Sequence, residues 1–506
     1  MHATRKHPKL YQINARVWIN RYARQIGRSA TLDDVTDAEL DALAELGFDW
    51  IYLLGVWQNG AASRRIAQSD EQLRKEFVQV LPDLEDADIC GSCFAVAAYE
   101  VNPALGGESA LTRLRQRLHS RKMRLMLDFI PNHTAVDHPW AFNLPEYYVP
   151  GNETKIAREP QNYIRVPTLH GERILAHGRD PFFPGWSDTL QLNYGNPDVQ
   201  SAMTREAEKI AELCDGLRCD MAMLLLPQVF ESTWGIKIEP FWPRLIQTIR
   251  LKKPDFTFLA EVYWGLEPEL QQQGFDYTYD KGLYDHLTRQ QARPLREHLR
   301  AQFAIADKMA RFLENHDEPR AASVFPAPIH RAAATATYTL PGLRFFQDGQ
   351  LEGYPKRIPV QLCRSPDHPV DENLKRFYRQ LLRCLDQPAL QKGDWILIEP
   401  SPAWDGNSTW ENFIISLWTT PQASSLLTVV NYSPYQSQCY ARLPWRILAN
   451  RSWRLEDLLS PTRYFRPGDR LISPGLYLDL PPWGHHIFQV LPEEETPHEG
   501  GVSSIQ

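Results

Sequence analysis

Short apolar runs alternate with amphipathic stretches over most of the chain. Tyr11 to Trp18 predicts a strand. Asp34 to Leu46 predicts a helix, with Leu40, Leu43 and Leu46 on one face and Gly47 as its stop. Trp50 to Leu54 and Arg124 to Ile130 predict buried strands, separated by a basic amphipathic helix at Leu111 to Arg121. The alternation continues with a helix at Val199 to Leu213, a strand at Gly216 to Cys219, a helix at Phe241 to Arg250 and a strand at Phe256 to Ala260. A short strand near Phe275, a helix at Leu283 to Arg300, a strand at Ala310 to Glu314, a helix around Ala332 to Tyr338 and a strand at Leu343 to Phe346 follow. A helix at Glu372 to Leu385 ends the series. Strand then helix, about eight times over, is the pattern of a parallel sheet. Units of this length fit a closed (β/α)8 barrel. Periodicity alone also allows an open, doubly wound sheet.

Two stretches break the rhythm. Between the third strand and the next helix lies an excursion from Thr134 to Tyr194, rich in Pro, Gly and aromatics such as Trp140, Tyr147, Tyr163, Phe182, Phe183 and Trp186. A connection of that length implies a small inserted domain or a functional lid. After Pro388 short strand-like pieces recur (Trp395 to Ile398, Phe413 to Trp418, Leu426 to Val430, Cys439 to Leu443, His486 to Val490), which predicts an antiparallel β-domain. The expected organisation is a barrel from 1–133 and 195–387, an inserted domain at 134–194, a C-terminal β-domain at 388–492 and a disordered polar tail at 493–506.

Composition narrows the partners. The 506 residues carry a formal net charge of -7, so electrostatics give no reason to expect nucleic acid or an anionic membrane. No apolar run reaches the ~18 residues of a membrane span, and the N-terminus shows no signal-peptide pattern. Seven Cys cannot all pair within the chain, and a reduced compartment, the cytoplasm, is expected. Cys90-Gly-Ser-Cys93 is an isolated Cys-x-x-Cys, read as incidental loop thiols rather than a metal or redox centre. His485-His486 is read as a solvated pair.

Four segments place acids and histidines at the C-terminal ends of predicted strands, where barrel enzymes put their chemistry. They are Asp128-Phe-Ile-Pro-Asn132-His133, Gly216-Leu-Arg218-Cys-Asp220, Leu259-Ala-Glu261, and Asn315-His316-Asp317. Buried ion pairs inside a barrel are the structural alternative, but so many convergent charges would carry a large desolvation cost. In this order the four segments resemble glycoside hydrolase family 13, the α-amylase family, as do Tyr11-Gln-Ile and Pro341-Gly342. The resemblance spans roughly residues 8 to 490.

It implies a retaining α-glycosidase or α-transglucosidase acting on α-glucosides or short α-glucans. Asp220 would be the nucleophile, Glu261 the general acid and Asp317 the stabiliser of the distorted sugar. Phe94, His133, Arg218 and His316 would bind substrate, Arg218 also keeping Asp220 ionised, and Asp128 and Asn132 would support them. An oligosaccharide α-glucoside is the expected partner. No cofactor is expected and a calcium ion at Asn132 is not favoured, because Gln191 and Leu224 stand where family members carry Asp and His.

Ala95 replaces a family Asp, and Phe94 through Tyr99 is similar to the amylosucrase branch, which keeps sucrose cleavage as an alternative. Met223 and Leu224 replace a Lys-His pair that grips glucan in starch-degrading members. They either remove those grips from the cleft or simply pack behind the barrel. A non-catalytic carbohydrate-binding protein is the alternative of another class.

Overall fold

The computed structural model describes residues 5–420, 425–444 and 448–493. Eight parallel strands close into a barrel: β1 (Lys9–Asn14), β2 (Trp50–Leu54), β3 (Arg124–Phe129), β4 (Gly216–Cys219), β5 (Thr257–Ala260), β6 (Tyr277–Tyr279), β7 (Met309–Arg311) and β8 (Leu343–Gln347), with β8 paired back onto β1. All five residues of β2 and all four of β4 are buried. A barrel strand is covered on both faces, so its sequence is a continuous apolar run rather than an alternation.

The register of the central strands positions the chemistry. Asp128 of β3 lies opposite Arg218 of β4, and Cys219 opposite Ala260 of β5. Asp220 and Glu261 follow directly as the chain leaves β4 and β5. Their backbone N–H groups donate to Phe129 O at 2.8 Å and Cys219 O at 3.0 Å, which extends the ladder by one residue and fixes both Cα positions.

The excursion after β3 is structured. His133–Ala135 pairs antiparallel with Thr189–Gln191 where the chain leaves and returns, and Tyr163–Thr168 forms a hairpin with Gly171–Ala176. The chain divides into two compact units. The first, Met1–Asp285 with Gln302–Pro326 and Pro341–Arg379, contains all eight barrel strands. The second, His286–Ala301 with Ala327–Leu340 and Gln380–Gln506, contains a six-stranded antiparallel sheet and a three-stranded one around Phe413, Ile415, Leu427, Val429, Leu455 and Phe488.

Several boundaries differ from the sequence reading. The first strand stops at Asn14 rather than running to Trp18. The Asn14 side chain accepts from the N–H of Arg16 at 3.1 Å and of Val17 at 3.4 Å, capping a helix at Ala15–Ile26. Ala15, Trp18, Ile19 and Tyr22 are its buried stripe, so the apolar residues belong to a helical period. The helix expected from Leu283 to Arg300 is two, Lys281–Thr288 and Ala292–Ala301, broken beside Gln290 with φ 55°. Strands at Ser452–Asp457, Arg463–Pro467 and Leu476–Leu480 were not anticipated. His485 and His486 are not a solvated pair. His486 Nδ1 lies 3.0 Å from Asp457 Oδ2 and its ring stacks on Phe488, while His485 Nδ1 meets Trp483 O at 2.9 Å. The tail expected to be disordered falls, beyond Glu493, outside the described residues. No helix among the described residues is long and apolar enough to cross a membrane.

Gly342 shows how tightly the barrel closes before β8. Its φ is 105°, and a Cβ there would stand 2.1 Å from Met309 O and 3.0 Å from Ala306 O. Gly342→Ala is expected to lower the melting temperature, through strain of about 1–3 kcal/mol from the backbone alone. Thermal unfolding followed by circular dichroism checks this, and an unchanged midpoint would contradict the geometry.

Candidate active site

Arg218 stands among four buried or cleft-facing carboxylates, and its guanidinium organises them. The side chain is fully buried. One terminal nitrogen donates to Asp220 Oδ1 at 2.5 Å and the other to Glu261 Oε2 at 2.7 Å. Its Nε reaches the Tyr279 hydroxyl at 3.4 Å, and its carbon sits 5.3 Å from the centre of the Phe94 ring. A planar fork with fixed donor directions can hold two carboxylates side by side, which a lysine cannot. Asp128 is more distant, 3.9 Å from Arg218. Its direct partners are the Tyr52 hydroxyl and the Gly55 N–H, the latter at 3.0 Å. Asp128 therefore braces the site through β2 and the turn after it as much as through Arg218.

The carboxylates differ in their protonation. Glu261 is raised to about 7, first by burial and then by the charges of Asp220 and Asp317, against the opposing pull of Arg218. Burial also raises Asp220 and Asp128, with Arg218 acting against it in both. Asp317 goes the other way. Enclosure pushes it up, but the neighbouring His316 outweighs this and holds it down at about 2. The sense is electrostatically reasonable: one guanidinium cannot neutralise every acid, so a proton is retained on one of them. On Glu261 the oxygen Oε2 already accepts from Arg218 and from the Met221 N–H at 2.8 Å. The proton therefore belongs on Oε1, which lies 2.7 Å from the Tyr263 hydroxyl.

His316 is oriented from behind. The Gln12 side-chain amide lies 2.9 Å from Nδ1 and donates to it, which puts the proton on Nε2, 3.0 Å from Asp317 Oδ2. Its ring also packs against Phe94 at 5.2 Å. His133 packs against Trp186 at 5.1 Å, and burial lowers it to about 4, so its imidazole is neutral near pH 7. These groups surround a cleft of about 280 Å³ lined by Phe94, His133, Trp186, Asp220, Glu261, Tyr263 and Asp317. A larger concavity, about 540 Å³ between Tyr99, His138, Trp140 and Glu206, contains none of the motif acids. The chemistry, not the volume, identifies the site.

Of the residues singled out in the sequence, Phe94, His133, Asp220, Glu261 and Asp317 line the cleft, with Arg218 and His316 directly behind them. Asn132 is elsewhere engaged. It donates from Nδ2 to Gln191 Oε1 at 3.1 Å, and Gln191 Nε2 returns bonds to Asn132 Oδ1 at 3.0 Å and to its carbonyl at 2.9 Å. This neutral amide pair fits a calcium ion poorly, because the Asn132 oxygens already accept protons and Gln191 brings no charge. Met223 and Leu224 are buried in the turn after β4 and do not line the cleft. Gln12, Tyr52, Tyr263, Tyr279 and Trp186 were not picked out as site residues. Tyr263 stands two positions after Glu261, Gln12 lies in the Tyr11-Gln-Ile segment and Trp186 among the aromatics of the excursion, whereas Tyr52 and Tyr279 carried no such signal.

Comparison with known proteins gives the family and the fold. The family profile described as alpha amylase, catalytic domain, matches residues 17–368. An alpha-amylase MalA from Haloarcula japonica is 24% identical over 429 residues, 82% of this chain and 54% of the relative. Alpha-amylase 3 from Dictyoglomus thermophilum is 23% identical over 306 residues, 55% of this chain and 57% of the relative. The chain thus spans little more than half the length of these curated relatives. Among solved structures, an alpha-amylase from Lactobacillus plantarum superposes with a TM-score of 0.67 at 19% identity, covering 96% of this chain and 99% of that one. A maltogenic alpha-amylase from Thermotoga neapolitana gives 0.66 at 18% identity, covering 96% and 98%.

Replacing Arg218 by Met would leave Asp220, Glu261 and Asp128 buried without their cation. Removing one partner of a buried ion pair costs about 3–5 kcal/mol. The expected result is a large fall in the urea unfolding midpoint, and a midpoint close to wild type would show that Arg218 does not hold the site together.

Proposed function

The chain belongs to the α-amylase family, and from that membership we propose that it is a retaining α-glycosidase or α-transglucosidase for α-glucosides and short α-glucans. The observation that carries this reading is the Arg218 fork, which holds Asp220 and Glu261 side by side at the floor of one cleft. A retaining mechanism requires its two carboxyl groups close together, about 5–5.5 Å apart, so that one can attack where the other protonates.

Arg218 occupies Oδ1 of Asp220, which leaves Oδ2 to attack the anomeric carbon. As that bond forms, the glycosidic C–O bond breaks, and the proton on Glu261 passes to the departing oxygen. Water, or a hydroxyl of a second sugar, then gives its proton back to Glu261 and displaces Asp220. Asp317, oriented from behind by His316, meets the hydroxyls of the distorted sugar, and Phe94 provides an apolar face for the ring. Phe182 and Trp264 are 69% and 43% exposed and meet edge to face at 5.0 Å. They suit the apolar face of a further sugar ring, which supports oligosaccharides among the substrates.

Sucrose cleavage is the second reading. It rests on Phe94 through Tyr99, with Ala95 fully buried where a family Asp would bring a charge. Product chromatography after incubation with sucrose, maltotetraose, isomaltose and trehalose separates the two, since only sucrose cleavage releases fructose. A carbohydrate-binding protein without catalysis would bind sugars saturably and convert none of them.

Asp220→Asn is expected to lower turnover by at least on the order of 10³-fold while leaving the melting temperature near that of wild type. Unchanged turnover would refute the assignment of the nucleophile. The reaction needs Glu261 protonated, so kcat/KM should fall as pH rises through about 7. A kcat/KM still level at pH 9 would remove Glu261 from the acid's role. We further propose that no calcium ion acts at Asn132. Dialysis against a chelator should change neither melting temperature nor turnover, and a loss restored by calcium would overturn this.

A further inference from the structure

Cys90 and Cys93 share a Cys-x-x-Cys, but the fold gives them different neighbours. Cys93 is buried, whereas Cys90 and Cys363 are both partly exposed. The segments carrying Cys90 and Cys363 run antiparallel about a bridge between Ile89 and Leu362. Cys90 N–H donates to Gln361 O at 2.8 Å and Cys363 N–H to Asp88 O at 2.9 Å. Each thiol reaches across to the facing segment: Cys90 Sγ donates to Gln361 O at 3.2 Å and Cys363 Sγ to Ala87 O at 3.6 Å. Arg16 ties the same segments together, donating to Gly91 O at 2.9 Å and to Val360 O. The Cys363 thiol and the Arg16 guanidinium together hold the Cys90 thiol below its ordinary value, against the effect of burial. Both segments reach the cleft within a few residues, through Ser92 and Phe94 on one and Val360 and Gln361 on the other.

We propose that Cys90 and Cys363 are a redox modification site that forms a reversible disulfide, stapling two walls of the cleft. Three features point to it: paired backbones, thiols that each reach across to the facing segment, and a buried cation that favours a thiolate at Cys90. The oxidant is a small-molecule disulfide such as oxidised glutathione. The Cys90 thiolate attacks one of its sulfurs and expels the first glutathione thiolate. The Cys363 thiolate then displaces the second from the mixed disulfide. The two thiol protons end on the two glutathiones, so two protein thiols are oxidised and one disulfide is reduced. Closing the bond to about 2.05 Å turns each thiol from the carbonyl it meets towards the other. The staple links residues far apart in sequence, and a cross-link over a long loop is stabilising because it restricts the unfolded chain.

The test does not depend on any catalytic reading. The full-length protein is equilibrated with mixtures of reduced and oxidised glutathione, alkylated, digested without reduction and analysed by mass spectrometry. The expected result is a peptide pair joined through Cys90 and Cys363 that dithiothreitol separates, and that neither Cys90→Ser nor Cys363→Ser can form. Oxidation should also raise the melting temperature of wild type by about 3 °C or more, and of neither variant. Free thiols at every mixture, a stable glutathione adduct on Cys90 without the cross-link, or a Cys90–Cys93 bond would each overturn the proposal. Both variants should melt like wild type under reducing conditions, and if one fails to fold, the other still provides the control.

Discussion

A single buried guanidinium determines how this barrel can be used. Arg218 reaches Asp220 and Glu261 with separate nitrogens, and both bonds are charge-assisted. Desolvating so many charges is costly, and the cost is offset only if each finds a partner in good geometry. The barrel meets that condition through register. Asp128 lies opposite Arg218, and Cys219 opposite Ala260, so Asp220 and Glu261 leave neighbouring strands at one level and Asp128 sits two residues deeper on β3. A slip of one residue in β4 would turn Arg218 to the other face of the sheet and take the shared cation from Asp220 and Glu261. The fork and the register therefore require each other.

The same constraint accounts for the uneven protonation of the site. With one cation among several acids, the proton resides where burial and like charge are strongest and where an oxygen remains for it. Glu261 meets these conditions: Oε2 is saturated by two donors, and Oε1 faces only the Tyr263 hydroxyl. Asp317 escapes because His316 stands beside it, held by Gln12 with Nε2–H towards the carboxylate. Two acids a few residues beyond strand ends thus acquire opposite character from their neighbours, not from their own sequence context.

What could be read from the chain follows the reach of each signal. The bounds of β2 and β4 were legible because a strand buried on both faces is an uninterrupted apolar run. The acids were legible because each ends such a run. What failed was in one case local, a cap read as part of a strand, and otherwise depended on contacts that no local window contains. Asn14 turned an apolar run into a helix by capping it. Ser452–Asp457 pairs with distant strands that alone make its half-buried pattern intelligible. Gln12 orients His316 from the opposite end of the barrel sequence, and the segment of Cys90 pairs with that of Cys363.

The inserted region illustrates how such long-range contacts place a residue in the cleft. His133 contacts Trp186 from the first strand of the two-stranded ladder that closes the insertion, and Gln191 ends the second. Asn132 and Gln191 exchange amide bonds at that junction, and Gln191 spends its remaining capacity on backbone carbonyls. A neutral amide pair is indifferent to pH across the range in which Glu261 titrates, whereas a carboxylate in its place would add another charge near the acids. The ladder therefore fixes His133 and Trp186 against the barrel without adding charge, and the electrostatic balance set by Arg218 is left to the strand ends.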